Sequence, residues 1–195
     1  MNSQIPSISK CFELMDKYSM LENIRLHSCI VARVAETIVT NLQLPQDEDI
    51  KPPDMDLVRA GALLHDIAKT ICLDGSCRHP EEGQLICEQN GYPEIAHIVR
   101  EHVILSSFSA EDYKRGQFSA REIVYYADKR VNHDKIVSLN DRLDYIIGRY
   151  SDGSNYIEHR IRSNFNVCFD LENYLFSFIH FHPDDLQSKL IANPF

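Results

Sequence analysis

The sequence has no long run of apolar residues, and this absence excludes a membrane-spanning helix. Such a helix needs about 20 consecutive apolar residues, and every apolar stretch here is interrupted well before that length. The N-terminus, Met1 to Pro6, also lacks the basic region and apolar core of a signal peptide. Together these features predict a cytoplasmic protein that does not associate with membranes.

Positive charge is also scarce. The chain has 20 Lys and Arg residues against 29 Asp and Glu residues, which gives a net charge of -9. Broad binding to nucleic acid needs a basic surface, so we expect no duplex nucleic acid as partner. A small anionic substrate stays compatible with this composition, because a bound metal ion supplies positive charge locally.

The six cysteines lack the CxxC spacing that is typical of structural metal sites. Several of them fall within apolar helical patterns, where reduced cysteine behaves as a small hydrophobic residue. We therefore expect neither a disulfide nor a cysteine-based zinc site, in line with a reducing compartment.

Helical periodicity dominates the chain, and no convincing alternating strand occurs. The 195 residues are enough for one domain with a well-buried core. We predict an all-α fold, a single compact helical bundle with a core of about 20–150 and a helical C-terminal extension of about 154–195. Helices are expected near 7–17, 21–42, 54–66, 79–90, 93–102, 119–127 and 136–147, with one or two more over 156–163 and 171–178.

The pair His65-Asp66 ends an apolar helical run, Gly61 to Leu64. Adjacent charged and polar side chains that point into a core need a compensating partner, and a cation serves best. His27 and Asp128 lie on the inner faces of two other predicted helices, and helix-borne ligands of this kind commonly build a metal site in a bundle core. Imidazole and carboxylate together suit iron, zinc, nickel and manganese.

His79 at a helix start and His102 at a helix end are candidates for a second metal ion. The carboxylate of Asp66 has two oxygens and is able to bridge two ions. Two ions would clamp a phosphate and convert bound water to hydroxide near neutral pH. This set therefore favours hydrolysis of a phosphoester or phosphoanhydride, with Asp66 at the catalytic centre.

Each of these residues also has a plain interpretation. His79 is also consistent with a loop residue that precedes a helix. His102 is consistent with a cation at a helix end, where the helix dipole favours positive charge, and Asp128 with a surface acid paired with Lys129 or Arg130. The charge-rich segment 129–135 is typical of a solvated face, although Arg130 also suits a bidentate contact to phosphate. The remaining histidines fit structural or exposed positions better: His97, His133, His159, His180 and His182.

As a set, the motifs resemble the HD-domain metal-dependent phosphohydrolase superfamily. The similarity covers about 21–147, and the nearest group is the six-ligand YqeK-like branch, whose members hydrolyse diadenosine tetraphosphate with two irons. The matching segments are His27, Leu63-Leu64-His65-Asp66-Ile67-Ala68-Lys69, His79-Pro80-Glu81-Glu82-Gly83, Glu101-His102 and Ile123-Val124-Tyr125-Tyr126-Ala127-Asp128-Lys129.

The resemblance implies one metal ion at His27, His65, Asp66 and Asp128. It implies a second ion at Asp66, His79 and His102, with Asp66 as the bridge. Lys69 would lie near the phosphates of a small phosphorylated substrate, expected to be a nucleotide. The ions would be divalent or trivalent transition metals, with iron first and manganese, nickel, zinc, cobalt or magnesium as alternatives.

The chain departs from this branch after its later motifs. Val103-Ile104-Leu105 replaces a Thr-Thr-Gly turn, Pro80-Glu81-Glu82 replaces small residues, and Arg130 to Asp134 replaces a Pro-containing stretch. The substrate is therefore open, as is the choice between monomer and homodimer. A di-iron oxygenase with the same ligands is one alternative. A non-catalytic regulatory module, docking a partner through the segment after Gly153, is another.

Overall fold

The computed structural model describes residues 4–47 and 49–191, and helices make up most of them, so the all-α prediction is confirmed. Residues 1–3 and 192–195, on which parts of the signal-peptide and C-terminal predictions fall, lie outside the described residues. None of the described helices is long and apolar enough to cross a membrane. The elements are α1 (Ile8–Lys17), α2 (Glu22–Asn41), α3 (Met55–Leu64), α4 (His79–Gln89), α5 (Pro93–Glu101), α6 (Ala110–Lys114), α7 (Ala120–Lys129), β1 (Val131–Asn132), β2 (Lys135–Ile136), α8 (Leu139–Tyr150), α9 (Asn155–Phe176) and a 3₁₀ helix (Pro183–Lys189).

Several helices begin where a polar side chain satisfies free backbone N–H groups. Asp54 accepts hydrogen bonds from the backbone of Asp56 and Leu57 at the start of α3. At the start of α7, Glu122 accepts from the backbone N–H of Ser119 in a capping box. Such caps stabilise a helix by about 1 kcal/mol, which explains why these starts were predictable from the sequence.

Helix α7 lies at the centre of the bundle, where it contacts α2, α3, α5 and α9. Its side chains Ile123, Val124 and Ala127 are fully buried. Because α7 and α3 both run through the core, the residues at their C-terminal ends are held inside the protein. The fold thus carries Asp128 and the His65-Asp66 pair to one buried place.

Helices α4 and α5 pack closely through Gly83. A Cβ atom there would lie 2.6 Å from Cγ1 of Val99 and 3.4 Å from Cγ2 of Ile67. Gly83→Ala is therefore expected to destabilise the protein by about 1–3 kcal/mol through overpacking, despite the higher helix propensity of alanine. Urea unfolding followed by circular dichroism measures the change.

Gly148 in α8 provides the matched control, since a Cβ atom there meets nothing within 4 Å. Gly148→Ala should stabilise the protein by about 0.5–1 kcal/mol through backbone entropy alone. Shifts of the same sign in both variants would contradict this account of the α4–α5 contact.

The start of the helix predicted over 136–147 differs from the structure. Ile136 lies in β2, paired with Val131 of β1, rather than in a helix. The chain reverses at His133, whose φ is 57°, and Ser138 then caps the start of α8. Of the one or two helices expected at the C-terminal end, the structure has one, the 22-residue helix α9, which joins the two expected stretches. One continuous stripe of buried side chains explains this: Phe165, Cys168, Leu171 and Leu175.

The prediction that the chain has no disulfide is wrong for one pair of cysteines. Cys72 and Cys77 are joined in the loop between α3 and α4, with an S–S distance of 2.00 Å. The loop turns back at Gly75, where φ is 78°, and so the two Cα atoms come within 5.0 Å of each other. The other four cysteines are free: Cys11, Cys29, Cys87 and Cys168.

Candidate metal centre

Six of the residues selected from the sequence meet in one cluster. Asp66 lies two residues after the end of α3, and its carboxylate lies among the ring nitrogens of four histidines. Two overlapping groups, which share Asp66, each place their ligand atoms within 4.8 Å of one another. Asp128 joins the first group, with its Oδ1 3.1 Å from Nε2 of His27. The groups are His27, His65 and Asp66, and then Asp66, His79 and His102.

The two oxygens of Asp66 face different histidines. Its Oδ2 lies 3.4 Å from Nε2 of His65 and 4.0 Å from Nε2 of His27. Its Oδ1 lies 3.4 Å from Nε2 of both His79 and His102. One carboxylate therefore presents one oxygen to each half of the cluster, which is the arrangement that a bridging ligand needs.

Three of the histidine rings are anchored by backbone carbonyls. A carbonyl oxygen only accepts hydrogen bonds, so in each pair the ring Nδ1 carries the proton. In a neutral ring, Nε2 then keeps its lone pair, and all three Nε2 atoms point into the cluster. This pattern is typical of histidines that bind metals. The bonds join His27 to His133 at 3.0 Å, His65 to Ala62 at 2.7 Å and His102 to Val99 at 2.6 Å.

The donor set fits a metal cation. Nε2 of His65 and Oδ1 of Asp66 are buried and have no hydrogen-bond partner among the described residues. An unsatisfied buried polar atom costs about 1–3 kcal/mol. Nε2 of His27 and Oδ1 of Asp128 also face each other inside the cluster, 3.1 Å apart. A cation bound by these atoms would satisfy all of them, and mixed nitrogen and oxygen ligands suit transition metals.

Electrostatics at the cluster favour positive charge. Burial opposes ionisation of Asp66, yet Lys69 and His65 outweigh it and hold the pKa of Asp66 well below its usual range. Burial likewise opposes ionisation of Asp128, but Lys129, His27 and His65 keep its pKa well below the usual value. Both carboxylates are therefore charged at neutral pH.

The pKa values of the histidines shift in opposite directions, according to their surroundings. Burial lowers the pKa of His65, but the carboxylates of Asp66 and Asp128 outweigh burial and raise it to about 9. For His79 and His102, in the second group, burial outweighs the nearby carboxylates. It lowers the pKa of His79 to about 3 and that of His102 below its usual value. His79 and His102 are thus neutral rings with lone pairs available for a cation.

The cluster opens to solvent on one side. The side chain of Lys69 is 34% exposed and that of His79 is 27% exposed, whereas that of Asp66 is 1% exposed. The ammonium of Lys69 lies 2.7 Å from Oδ2 of Asp66, and Asp66 and Asp128 raise the pKa of Lys69 against the effect of burial. The open side of the cluster is therefore the side on which Lys69 and His79 lie.

Arg130 does not join the cluster. Its residue is only 2% exposed, and its guanidinium donates to Tyr126, Glu172 and the carbonyls of Val137 and Pro183. These bonds fasten α7 to α9 and to the C-terminal segment. The predicted contact of Arg130 with a substrate phosphate is therefore not supported, because its donors are committed to the fold.

The segment 129–135 is only partly the solvated face that its composition suggested. Lys129 and Arg130 are buried, because they complete the last turn of the central helix α7. The residues from His133 to Lys135 are exposed at the hairpin turn. The five histidines outside the cluster are exposed, as expected: His97, His133, His159, His180 and His182.

Two features of the site were missed from the sequence. The backbone carbonyls that anchor the histidine rings leave no pattern in the side chains. The buried ammonium of Lys129, which contacts Asp128, left a weak signal: it lies four residues after Tyr125, on a helix rich in apolar residues. That spacing places both side chains on the same helical face.

Comparison with known families gives one match. A family model described as HD domain matches residues 25–146 of the chain. No curated protein matches it, and no solved structure does. The matched range contains all six residues of the cluster.

Proposed function

Because the chain belongs to the HD domain family, we propose that it is a phosphohydrolase that acts on a small phosphorylated substrate with two metal ions. Members of this family are generally metal-dependent hydrolases. The observation that carries the proposal is Asp66, whose two oxygens face the ring nitrogens of separate histidines. A nucleotide is the substrate that we expect.

Six residues would hold the metal ions, one set on each side of Asp66. Bound ions of this kind lower the pKa of water and neutralise phosphate charge. The protein contributes four imidazoles, three of which are anchored through Nδ1 so that Nε2 faces the cluster, and two charged carboxylates. We expect iron, with manganese, nickel, zinc, cobalt or magnesium as alternatives, since these ligands accept several ions. The first set is His27, His65, Asp66 and Asp128, and the second is Asp66, His79 and His102.

We assign Lys69 to the substrate. Its ammonium contacts Asp66 and lies at the open side of the cluster. A lysine ammonium is a compact charge on a flexible stem, so it is able to reach a phosphate that approaches the centre. In this position Lys69 would neutralise negative charge on the substrate and orient the phosphate towards the metal ligands.

Some finer proposals rest on the sequence motifs alone. Membership of the YqeK-like branch, with diadenosine tetraphosphate as substrate, stays a prediction, as do the division into core and C-terminal extension and the possible homodimer. Cytoplasmic location also stays a prediction. Part of its support came from the expected absence of disulfides, and the Cys72–Cys77 bond removes that part.

A screen of purified protein tests the proposed function. Protein prepared without chelator should contain about two transition-metal ions per chain by elemental analysis. It should release phosphate or a nucleotide from a panel of nucleotides, dinucleoside polyphosphates and phosphate esters, and a chelator should abolish the release. Metal-loaded protein without turnover would favour the regulatory module instead. Oxygen consumption with an organophosphonate or polyol, without phosphate release, would favour the oxygenase.

A further inference from the structure

Lys129 is a buried lysine that contacts both halves of the cluster. Its side chain is only 7% exposed. The ammonium donates to Oδ2 of Asp128 at 2.9 Å and to the backbone carbonyl of His102 at 2.9 Å. It also lies 4.8 Å from the centre of the Tyr125 ring, a favourable cation–π position. A buried ammonium is costly unless it is well paired, and here it has three partners.

The contact with Asp128 determines which carboxylate oxygen faces the histidines. Lys129 occupies Oδ2, so Oδ1 is the oxygen that lies 3.1 Å from Nε2 of His27 and 3.6 Å from Nε2 of His65. Without the ammonium, the carboxylate would be free to rotate about its χ2 angle, which has a broad energy well. Lys129 thus limits Asp128 to one oxygen directed at the cluster.

The contact with His102 connects this carboxylate to the second half. His102 follows the end of α5, and its backbone carbonyl is held by Lys129 of α7. The next carbonyl, that of Val103, accepts from the amide of Asn164 in α9 at 2.9 Å. Asn164 in turn accepts from the hydroxyl of Tyr125. The end of α5 is therefore held at two successive carbonyls, one bonded to Lys129 and one to Asn164. Of these two side chains, Lys129 also donates to a carboxylate of the cluster.

We propose that Lys129 is a positioning residue for the metal centre. It orients Asp128 towards one half of the cluster and keeps His102 in place in the other half. The inference rests on the proposed function in one respect, since it takes these residues to be metal ligands. Partners of metal ligands typically change metal affinity by 10- to 100-fold when they are removed.

Positioning and simple charge predict opposite results when Lys129 is replaced. Lys129→Met keeps the length of the side chain and removes the charge and the donor. If the ammonium acted only as a charge, its loss would strengthen the binding of a divalent cation, because like charges repel. If Lys129 positions the ligands, its loss weakens binding.

Binding of Co²⁺ distinguishes a positioning role of Lys129 from a role as a charge alone. Competition with a chelating indicator measures the affinity, and visible absorption of the bound Co²⁺ reports its coordination. We expect at least about tenfold weaker binding in Lys129→Met together with an altered spectrum. The control is Lys135→Met, at an exposed lysine on the hairpin, which should match the original protein in both measurements.

Tighter or equal binding with an unchanged spectrum in Lys129→Met would overturn the inference, even if the melting temperature fell, because a merely structural residue lowers stability alone. If that variant does not fold, Lys129→Gln retains one donor without the charge. It should also bind Co²⁺ more weakly, and equal or tighter binding would overturn the inference in the same way. If the original protein binds no Co²⁺ or other transition metal, the proposed function fails as well, whereas normal binding in both proteins refutes only the role of Lys129.

Discussion

Asp66→Asn is expected to abolish both metal binding and hydrolysis. Asp66 belongs to both groups of ligands, and asparagine keeps its shape but removes the charge and replaces one oxygen by an N–H donor. We expect hydrolysis to fall at least about a thousandfold, or roughly 4 kcal/mol in the barrier. Elemental analysis should show that both ions are lost together, while far-UV circular dichroism shows that the helices are retained.

Asp74→Asn is the matched control for this experiment. Asp74 lies in the exposed loop between α3 and α4, where its carboxylate accepts a hydrogen bond from the backbone of Ser76. The same chemical change there should leave metal content and hydrolysis unaltered. Full metal content and activity in Asp66→Asn would show that Asp66 is not a ligand, and the proposed function would then have to be abandoned.

His102→Ala is expected to remove one metal ion and to leave the other. His102 is only 2% exposed. Among the carboxylate oxygens of the cluster, its Nε2 lies next to Oδ1 of Asp66, 3.4 Å away. The other half keeps its own ligands, His27, His65 and Asp128. Metal content should therefore fall by about one ion per chain, and hydrolysis should fall by roughly a hundredfold or more, because the two-ion clamp on the phosphate is lost.

His97→Ala controls for the loss of a histidine from the same helix. His97 lies on α5 but is exposed, so its removal should change neither metal content nor rate. Thermal unfolding of the variants separates loss of the ligand from loss of the fold. An unchanged ion count in folded His102→Ala would exclude the second set of ligands, although the first set would stand.

Local chemistry explains why much of the helical framework was predictable. Asp54 and Glu122 accept hydrogen bonds from backbone N–H groups within three residues at helix starts that were predicted, and such short-range signals are readable in the sequence. The hairpin around His133 was not predicted, because two-residue strands are too short for an alternating pattern. The continuity of α9 also depended on packing, since its polar middle is supported by buried side chains on one face.

In the candidate site, too, the residue types were predictable locally, whereas their detailed contacts depend on packing. The residue types at His27, His65-Asp66, His79, His102 and Asp128, at the ends and inner faces of helices, predicted a cluster before its geometry was known. The structure confirms the prediction that these side chains lie close together. Their binding of metal stays a proposal.

Periodicity, caps and residue types act locally, so the helical class, most helix boundaries and the residues that carry the candidate chemistry were readable from the amino-acid sequence. The packing of the helices established which oxygen of Asp66 faces which histidine, that the donors of Arg130 are used within the fold, and that Lys129 is buried between Asp128 and His102. Those features depend on contacts between distant parts of the chain, such as the bond from His27 to the carbonyl of His133, 106 residues away. No local pattern encodes such a contact, since it exists only once the helices have packed.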